Sequence, residues 1–95
     1  MRDGEPSQGA AELDRLVRRL RGLSKRAWDT GERRAAVHEL LARLADLSAW
    51  GHTLAPLPDH ALGDAVAVLG HDALADPEHA EGAAQLLRDA LDKTR

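Results

Sequence analysis

Residues 37–50, VHELLARLADLSAW, decide the class of this fold. Their apolar side chains recur at spacings of three and four residues, the period that keeps them on one face of an α-helix. The face consists of Val37, Leu40, Leu41, Leu44, Leu47 and Ser48. Gly51, directly after Trp50, suits the left-handed conformation that often ends a helix. The stretch therefore predicts an amphipathic helix that ends at Trp50.

The residues before this helix predict another, over residues 10–28. Its apolar stripe consists of Leu13, Leu16, Val17, Leu20, Ser24, Ala27 and Trp28. Gly22 lies opposite the stripe, where it costs about 1 kcal/mol of helix propensity but leaves no hole in the core. Asp29 and Glu32 have the spacing of a reciprocal cap, which places the start of the next helix close behind them.

Two further helices are predicted after a proline-containing loop at residues 52–58. The first begins at residue 58 or 59, and its stripe consists of Leu62, Ala65, Val66, Leu69 and Ala73. Gly70 interrupts the pattern, which leaves open whether this helix is continuous or divided. Asp76 followed by Pro77 is typical of a helix start. The apolar face of the last helix consists of Ala80, Ala83, Ala84, Leu87, Ala90 and Leu91.

The composition supports an all-helical fold. The 95 residues include 16 leucines, 18 alanines and 4 valines but no isoleucine, phenylalanine or tyrosine. Leucine and alanine are strong helix formers, whereas strands favour β-branched and aromatic residues. A chain of this length forms a single core. We therefore predict an all-α fold, a compact antiparallel four-helix bundle over residues 10–95, preceded by a disordered tail at residues 1–9.

Several observations bear on where the protein acts. Residues 1–9 lack the apolar stretch of a secretory signal, and no apolar run in the sequence reaches the length that spans a bilayer. The chain has no cysteine, which excludes disulfides, thiolate nucleophiles and cysteine-bearing zinc sites. These features predict a cytoplasmic protein without a membrane partner.

Charge is unevenly distributed along the chain. Residues 15–34 contain eight basic and two acidic side chains, a balance of +6, whereas residues 51–95 contain three basic and eight acidic ones, a balance of −5. The whole chain has a net charge of −3. Two copies would attract one another if these regions paired reciprocally, so the charge pattern predicts self-association.

The strongest functional candidate is a basic face on the first predicted helix. Its members fall within about 120° of one another by the helical period. They are Arg15, Arg18, Arg19, Lys25 and Arg26. Arg33 and Arg34 add charge in the first turn of the next predicted helix, where the helix dipole disfavours cations. Three interpretations fit these residues: an ordinary solvated face, a surface for an acidic protein partner, or a phosphate-binding surface for nucleic acid.

A second candidate surface combines Trp50 with a bare helix flank. Trp50 falls off the apolar stripe of its helix, and the flank formed by Gly63, Val66 and Gly70 would let another backbone approach closely. The alternative is that both features serve the core of the same chain. In that case Trp50 folds under the proline loop and the flank accepts the last helix.

Neither a catalytic site nor a metal site is predicted. The sequence contains no nucleophile elbow and no glycine-rich phosphate loop. His60 and Asp64 share a helix face, but His71 lies roughly 16 Å further along, too far for one ion to bridge. His79 has no neighbour at ligand spacing. We expect no enzyme activity, no cofactor and no identifiable small-molecule ligand.

The function that these features favour is a small protein-interaction module that self-associates. The alternative is a nucleic-acid-associated regulator that binds phosphates through the basic face and the start of the following helix. The candidate contact surfaces of the module are the basic face of the first helix and the region from Trp50 to Gly70, whereas helical stripes and caps occur in many unrelated proteins.

Overall fold

The computed structural model describes residues 8–47 and 57–95, and all regular structure in these two ranges is helical. The helices are α1 (Gln8–Arg21), α2 (Lys25–Asp29), α3 (Arg33–Leu47), α4 (Asp59–Ala75) and α5 (Ala80–Lys93). The prediction of an all-α fold is confirmed. The described part of the chain holds five helices instead of four, and α1 starts two residues before the predicted position. The predicted helix end at Trp50 lies outside the described residues.

The fifth helix arises because the first predicted helix is divided between Gly22 and Ser24. The backbone N–H of Gly22 donates to the carbonyls of both Arg18 and Arg19, each at 3.2 Å, which tightens and ends the last turn of α1. Ser24 has an extended backbone, and its Oγ accepts a hydrogen bond from the N–H of Ala27 at 3.1 Å. Ser24 is therefore an N-cap, and its predicted place on a continuous apolar stripe is wrong.

The other predicted helices are largely as expected. α4 runs without a break through Gly70, which settles the question that the sequence left open. α5 begins at Ala80, later than the Asp76–Pro77 pair suggested. Asp76 still organises this start, because its carboxylate accepts the N–H of Glu78 at 3.0 Å and its carbonyl accepts that of Ala80 at 2.9 Å.

The core is built from the predicted stripes of all four long helices. Its buried side chains are mostly leucine, valine and alanine, with one aromatic ring from α2. They are Leu16, Val17, Leu20, Trp28, Val37, Leu40, Leu41, Leu44, Leu62, Val66, Leu69, Ala73, Ala83, Leu87, Ala90 and Leu91. Since leucine burial contributes about 1.5–3 kcal/mol per side chain, this cluster is the main source of stability.

Contacts between the helices fix their directions. The start of α4 packs on the end of α1, since Gly63 faces Leu20 and Gly70 faces Leu13, so these two helices are antiparallel. α1 and α5 are parallel, because Glu12 contacts Arg88 near one end and Arg19 contacts Thr94 near the other.

The remaining pair follows from the same kind of contact. Arg33 at the start of α3 reaches Thr94 after α5, and Leu47 at its end lies beside Gly82, so α3 and α5 are antiparallel. α3 therefore runs in the same direction as α4. Some neighbouring helices in this fold are therefore parallel and others antiparallel, whereas the sequence predicts an antiparallel bundle.

Candidate functional site

The seven basic residues predicted as a contact surface lie on three different helices. Arg15, Arg18 and Arg19 belong to α1, Lys25 and Arg26 to α2, and Arg33 and Arg34 to α3. Because α1 ends before Ser24, the α2 residues do not continue the helical face of the α1 arginines. The neighbours of each side chain then decide which of the seven are available to a partner.

Arg33 is engaged with backbone carbonyls. Its Nη1 donates to the carbonyls of Ala27 at 3.2 Å and Thr30 at 3.1 Å, at the end of α2. Its Nε donates to the carbonyl of Thr94 at 3.3 Å, and its Nη2 to that of Arg95 at 2.9 Å. Carbonyls at helix C-termini lack intrahelical donors and carry partial negative charge. The cation at the start of α3 is therefore explained by the ends of α2 and α5.

Arg34 joins two carboxylates from different elements. Its Nε and Nη2 donate to the two oxygens of Asp59, each at 2.7 Å, and Nη2 also donates to Asp29 at 2.7 Å. These hydrogen bonds favour the ionised carboxylates, so Arg34 lowers the pKa of Asp59 and, with a smaller contribution from Lys25, the pKa of Asp29. Arg34 thus ties the starts of α3 and α4 to the end of α2.

Arg19 also has an intramolecular role. Its Nη1 donates to the carbonyl of Leu91 at 2.6 Å and to Oγ1 of Thr94 at 3.3 Å. Thr94 is 1% exposed, and its hydroxyl donates to the carbonyl of Ala90 at 2.7 Å. Arg19 therefore holds the last turn of α5 against α1, as Arg33 does from the side of α3.

The other basic side chains of this set are exposed. Arg18 pairs with Asp14 at 3.1 Å, and Lys25 pairs with Asp29 at 3.4 Å, each one turn away on the same helix. Exposed pairs of this kind contribute about 0.3–0.5 kcal/mol and exchange readily with other partners. The side chains of Arg15 and Arg26 make neither a hydrogen bond nor an ion pair with any residue in 8–47 or 57–95.

Two of the α1 arginines, Arg15 and Arg19, line a groove that α1 forms with its parallel neighbour α5. The groove has a volume of about 440 Å³. Its charged lining consists of Arg15, Glu12, Arg19, Arg88, Asp92 and Arg95. Four guanidinium groups thus face two carboxylates, and Ala11 and Leu91 provide the apolar part of the lining. We call this site the arginine groove.

Glu12 is the buried member of the arginine groove. One carboxylate oxygen, Oε1, accepts a hydrogen bond from Nη1 of Arg88 at 3.3 Å, and only 11% of the Glu12 side chain is exposed. The other oxygen, Oε2, is buried and has no hydrogen-bond partner among residues 8–47 and 57–95. Arg88 also donates to the side chain of Gln85 at 3.0 Å. Glu12 therefore holds the guanidinium of Arg88, whereas Arg15 has no hydrogen-bond or ion-pair partner among the described residues.

The arginines that α5 and the residues after it contribute to this groove were not predicted from the sequence. Arg88 and Arg95 lie more than 70 residues from Arg15 and stand in the part of the chain whose balance is acidic. Their seven-residue spacing, two turns of a helix, is a weak signal that they project to the same side. That side faces α1 because α1 and α5 are adjacent and parallel, which no local pattern reveals.

The second predicted surface is covered within the chain. Val66 is fully buried, and Gly63 and Gly70 are buried against α1. An ideal Cβ at Gly70 would lie 2.6 Å from Cδ1 of Leu13, so the glycine permits the close approach of these two helices. The flank is thus occupied by α1, and not by the last helix as the intramolecular alternative suggested. Trp50 lies outside the described residues.

Two of the histidines considered in the sequence, His60 and His79, have carboxylates to be compared with the predicted ligand spacing. Asp64, which was paired with His60 in the sequence, binds Nη2 of Arg21 at 2.5 Å instead. The statement that His79 has no neighbour at ligand spacing is wrong, because ligand atoms of Asp76, Glu78 and His79 lie within 4.8 Å of one another. Nδ1 of His79 is 2.8 Å from Oδ2 of Asp76, while the other oxygen accepts the N–H of Glu78. Both bonds lower the pKa of Asp76, the backbone bond more strongly. They account for this cluster as a helix-start motif.

A second groove lies where α1, α2 and the start of α4 meet. It has a volume of about 470 Å³, and its apolar lining includes Leu20, Leu23 and Trp28. Its charged lining residues include Arg21, which is bonded to Asp64, and Asp59, which is bonded to Arg34. The arginine groove differs because one of its cations has no such partner in the described ranges.

In the described residues, no helix combines the length and the apolarity that crossing a membrane requires. Comparisons of the chain with protein-family models, with curated proteins and with solved structures found no match. The arginine groove is therefore the feature of the described residues from which a function can be inferred.

Proposed function

We propose that this protein is a small helical interaction module that binds an acidic segment of a partner protein in the arginine groove. The observation that supports this proposal is the convergence of four arginines from α1, α5 and the residues after α5, of which Arg15 has no hydrogen-bond or ion-pair partner in the described part of the chain. The four long helices, which we take to form a single bundle, act as the rigid scaffold for the groove.

The chemistry of the groove suits carboxylates. A guanidinium presents paired N–H donors that match the two oxygens of a carboxylate, and such bidentate bonds are among the stronger hydrogen bonds in proteins. Arg88 and Arg95 already show this preference, because each pairs with a carboxylate of the same chain, Glu12 at 3.3 Å and Asp92 at 3.0 Å. An incoming glutamate or aspartate would meet Arg15 directly and exchange with the exposed Asp92 at Arg95.

The distribution of charge favours a short acidic segment over a nucleic acid. Binding to phosphates gains affinity from rows of available cations, because each neutralised phosphate releases a counterion. In this fold Arg19, Arg33 and Arg34 hold helix ends and carboxylates together, and the groove itself contains two acids. Three of the seven predicted basic residues are thus engaged within the chain, and the exposed ones, Arg15, Arg18, Lys25 and Arg26, are divided between α1 and α2. This division suits a partner that supplies one or two carboxylates better than a row of phosphates.

The proposal is tested by measuring the binding of a fluorescent glutamate-rich peptide by anisotropy at low and high salt. We expect Arg15→Glu to weaken binding about tenfold, because it replaces an attractive pair by a repulsive one at the site. Arg26→Glu is the matched control, because Arg26 is exposed on α2, makes the same charge change and lies outside the groove. We expect the control to change affinity less than twofold.

Equal losses in the two variants would show that net charge, and not the groove, governs binding. A DNA duplex of similar charge is the second probe. If the wild-type protein bound the duplex more tightly than the peptide, with a steep salt dependence, the nucleic-acid alternative would replace this proposal. Circular dichroism of each variant establishes that the fold is retained.

A further inference from the structure

The structure also contains an acidic segment of the kind that the arginine groove is proposed to bind. Glu78 and Glu81 are exposed at the start of α5, at the opposite end of that helix from Arg95. Within the described ranges, the Glu81 carboxylate makes no ion pair. Glu81 and Arg88 are two turns apart in α5, about 10 Å along one side of the helix. Arg95 follows the end of α5 and lines the same groove as Arg88.

The order of Glu81, Arg88 and Arg95 along the chain allows the same surface of two copies to pair with opposite charges facing. If two copies lie with their α5 segments antiparallel, Glu81 of each copy meets Arg95 of the other, and the two-fold axis passes near Arg88. Two Arg88 side chains would then approach one another, but each is already paired with Glu12 of its own chain at 3.3 Å. An isologous interface requires such reciprocity, since the same surface patch serves both copies.

We infer that the acidic side chain that exchanges with Asp92 at Arg95 of the arginine groove is Glu81, at the start of α5 of a second copy of this chain. This inference rests on the proposed function of the groove and names its partner. The self-association inferred here differs from the one that the charge pattern predicted, because Glu81 and Arg95 both lie in residues 51–95 and not in regions of opposite net charge. Its surface is the α1/α5 side and not the buried Gly63–Gly70 flank.

The small apolar area on the α1/α5 side limits the strength of the association. Leu91 is 9% exposed and contributes little apolar area, so charge provides most of the attraction. Exposed ion pairs are individually weak and screened by salt. We therefore expect association at high protein concentration and low salt, and dissociation when salt is raised.

The test is a charge swap read out by sedimentation equilibrium. Glu81→Arg and Arg95→Glu each place like charges opposite one another in a homodimer, so we expect each variant alone to associate at least about tenfold more weakly than the wild type. An equimolar mixture of the two restores both opposed pairs, because one chain carries arginine and the other glutamate at both positions. We expect the mixture to associate as strongly as the wild type.

Arg26→Glu and Glu39→Arg are controls of matching charge change outside this side of the molecule, and their mixture should behave like each variant alone. The inference is overturned if the wild type stays monomeric at low salt, or if the mixture of Glu81→Arg and Arg95→Glu associates no better than its components. In those cases retained binding of the glutamate-rich peptide would show that the proposed function stands with a different partner. If the protein neither self-associated nor bound the glutamate-rich peptide, the proposed function would be wrong as well.

Discussion

Arg33 and Arg34 differ from Arg15 and Arg95 in what surrounds them, although all four side chains are chemically identical. The guanidinium of Arg33 is enclosed by four backbone carbonyls, and that of Arg34 by two carboxylates. Arg15 has no bonded neighbour in the described ranges, and Arg95 has only an exposed aspartate. The first pair joins helix ends inside one molecule, while the second pair lines a groove that is open to a partner.

This contrast shows why a count of basic residues is a poor guide to a binding surface. Residues 15–34 supply a local balance of +6, yet a large part of that charge is compensated by carbonyls and carboxylates of the same chain. A cation that is compensated internally stabilises the fold, whereas one left uncompensated remains available for binding. Substitution of a compensated arginine should therefore change the free energy of unfolding more than substitution of an uncompensated one.

The largest effect on stability is expected in the core, which sets the scale for both groups of arginines. Leu44 on α3 is fully buried. Leu44→Ala should lower the free energy of unfolding by about 2–5 kcal/mol, because it removes buried apolar area and leaves a cavity. Urea titration followed by circular dichroism measures this change. A loss near zero would mean that α3 does not pack as described.

Arg33→Ala should have the next largest effect. It leaves the carbonyls of Ala27, Thr30, Thr94 and Arg95 without this donor, and hydrogen bonds to charged groups contribute about 1.5–3 kcal/mol. We expect a loss in this range in the same urea titration. Arg33→Lys should recover only part of it, because an ammonium group cannot span carbonyls of two helices with a planar fork. Full recovery by lysine would show that charge alone is sufficient.

Lowering the pH should weaken the ion pairs that Arg34 forms with Asp59 and Asp29. Both carboxyl groups have a lowered pKa in the folded protein, so their stabilising contribution is present above the ordinary aspartate pKa of about 3.9 and is lost as pH falls through the folded values. The free energy of unfolding should therefore decline in acid. Arg34→Ala should reduce the steepness of that decline, and an unchanged pH profile in the variant would contradict the assignment.

The smallest effect on stability is expected for Arg15. Arg15→Ala removes an exposed side chain that has no partner in the described ranges, so the free energy of unfolding should change by less than about 0.5 kcal/mol. The Arg15→Ala variant should nevertheless bind the glutamate-rich peptide more weakly than the wild type. If Arg15→Ala were as destabilising as Arg33→Ala, the distinction between structural and available arginines would fail.

Much of the fold followed from local patterns in the sequence. The three- and four-residue spacing of leucines identified the buried faces of α1, α3, α4 and α5, and Leu16, Leu44, Leu62 and Leu87 from these faces are all fully buried. The error in the bounds of the first predicted helix lies where two local signals competed. At Ser24, for example, the apolar spacing favoured a continuous helix, whereas hydrogen bonding of the side chain to Ala27 started a new one.

Less of the candidate site could be predicted, because its parts are distant in the chain. The α1 arginines were identified as candidates from sequence, but Arg88 and Arg95 were not. The anomaly of two cations at the start of α3 was noticed, yet its cause, the C-terminal carbonyls of α2 and α5 and the carboxylate of Asp59, involves residues up to 62 positions away. Local patterns do not contain such information.

The sequence by itself determined that this protein is helical, which faces of its helices are buried and where most of its basic charge lies. These properties depend on side-chain spacing along one element and on the helix propensities of leucine and alanine. Only the tertiary structure decided that α1 and α5 are parallel neighbours, that Gly70 serves the approach of α1, and which arginines are compensated. Those properties depend on which helix ends and faces meet, and packing of the whole chain determines that.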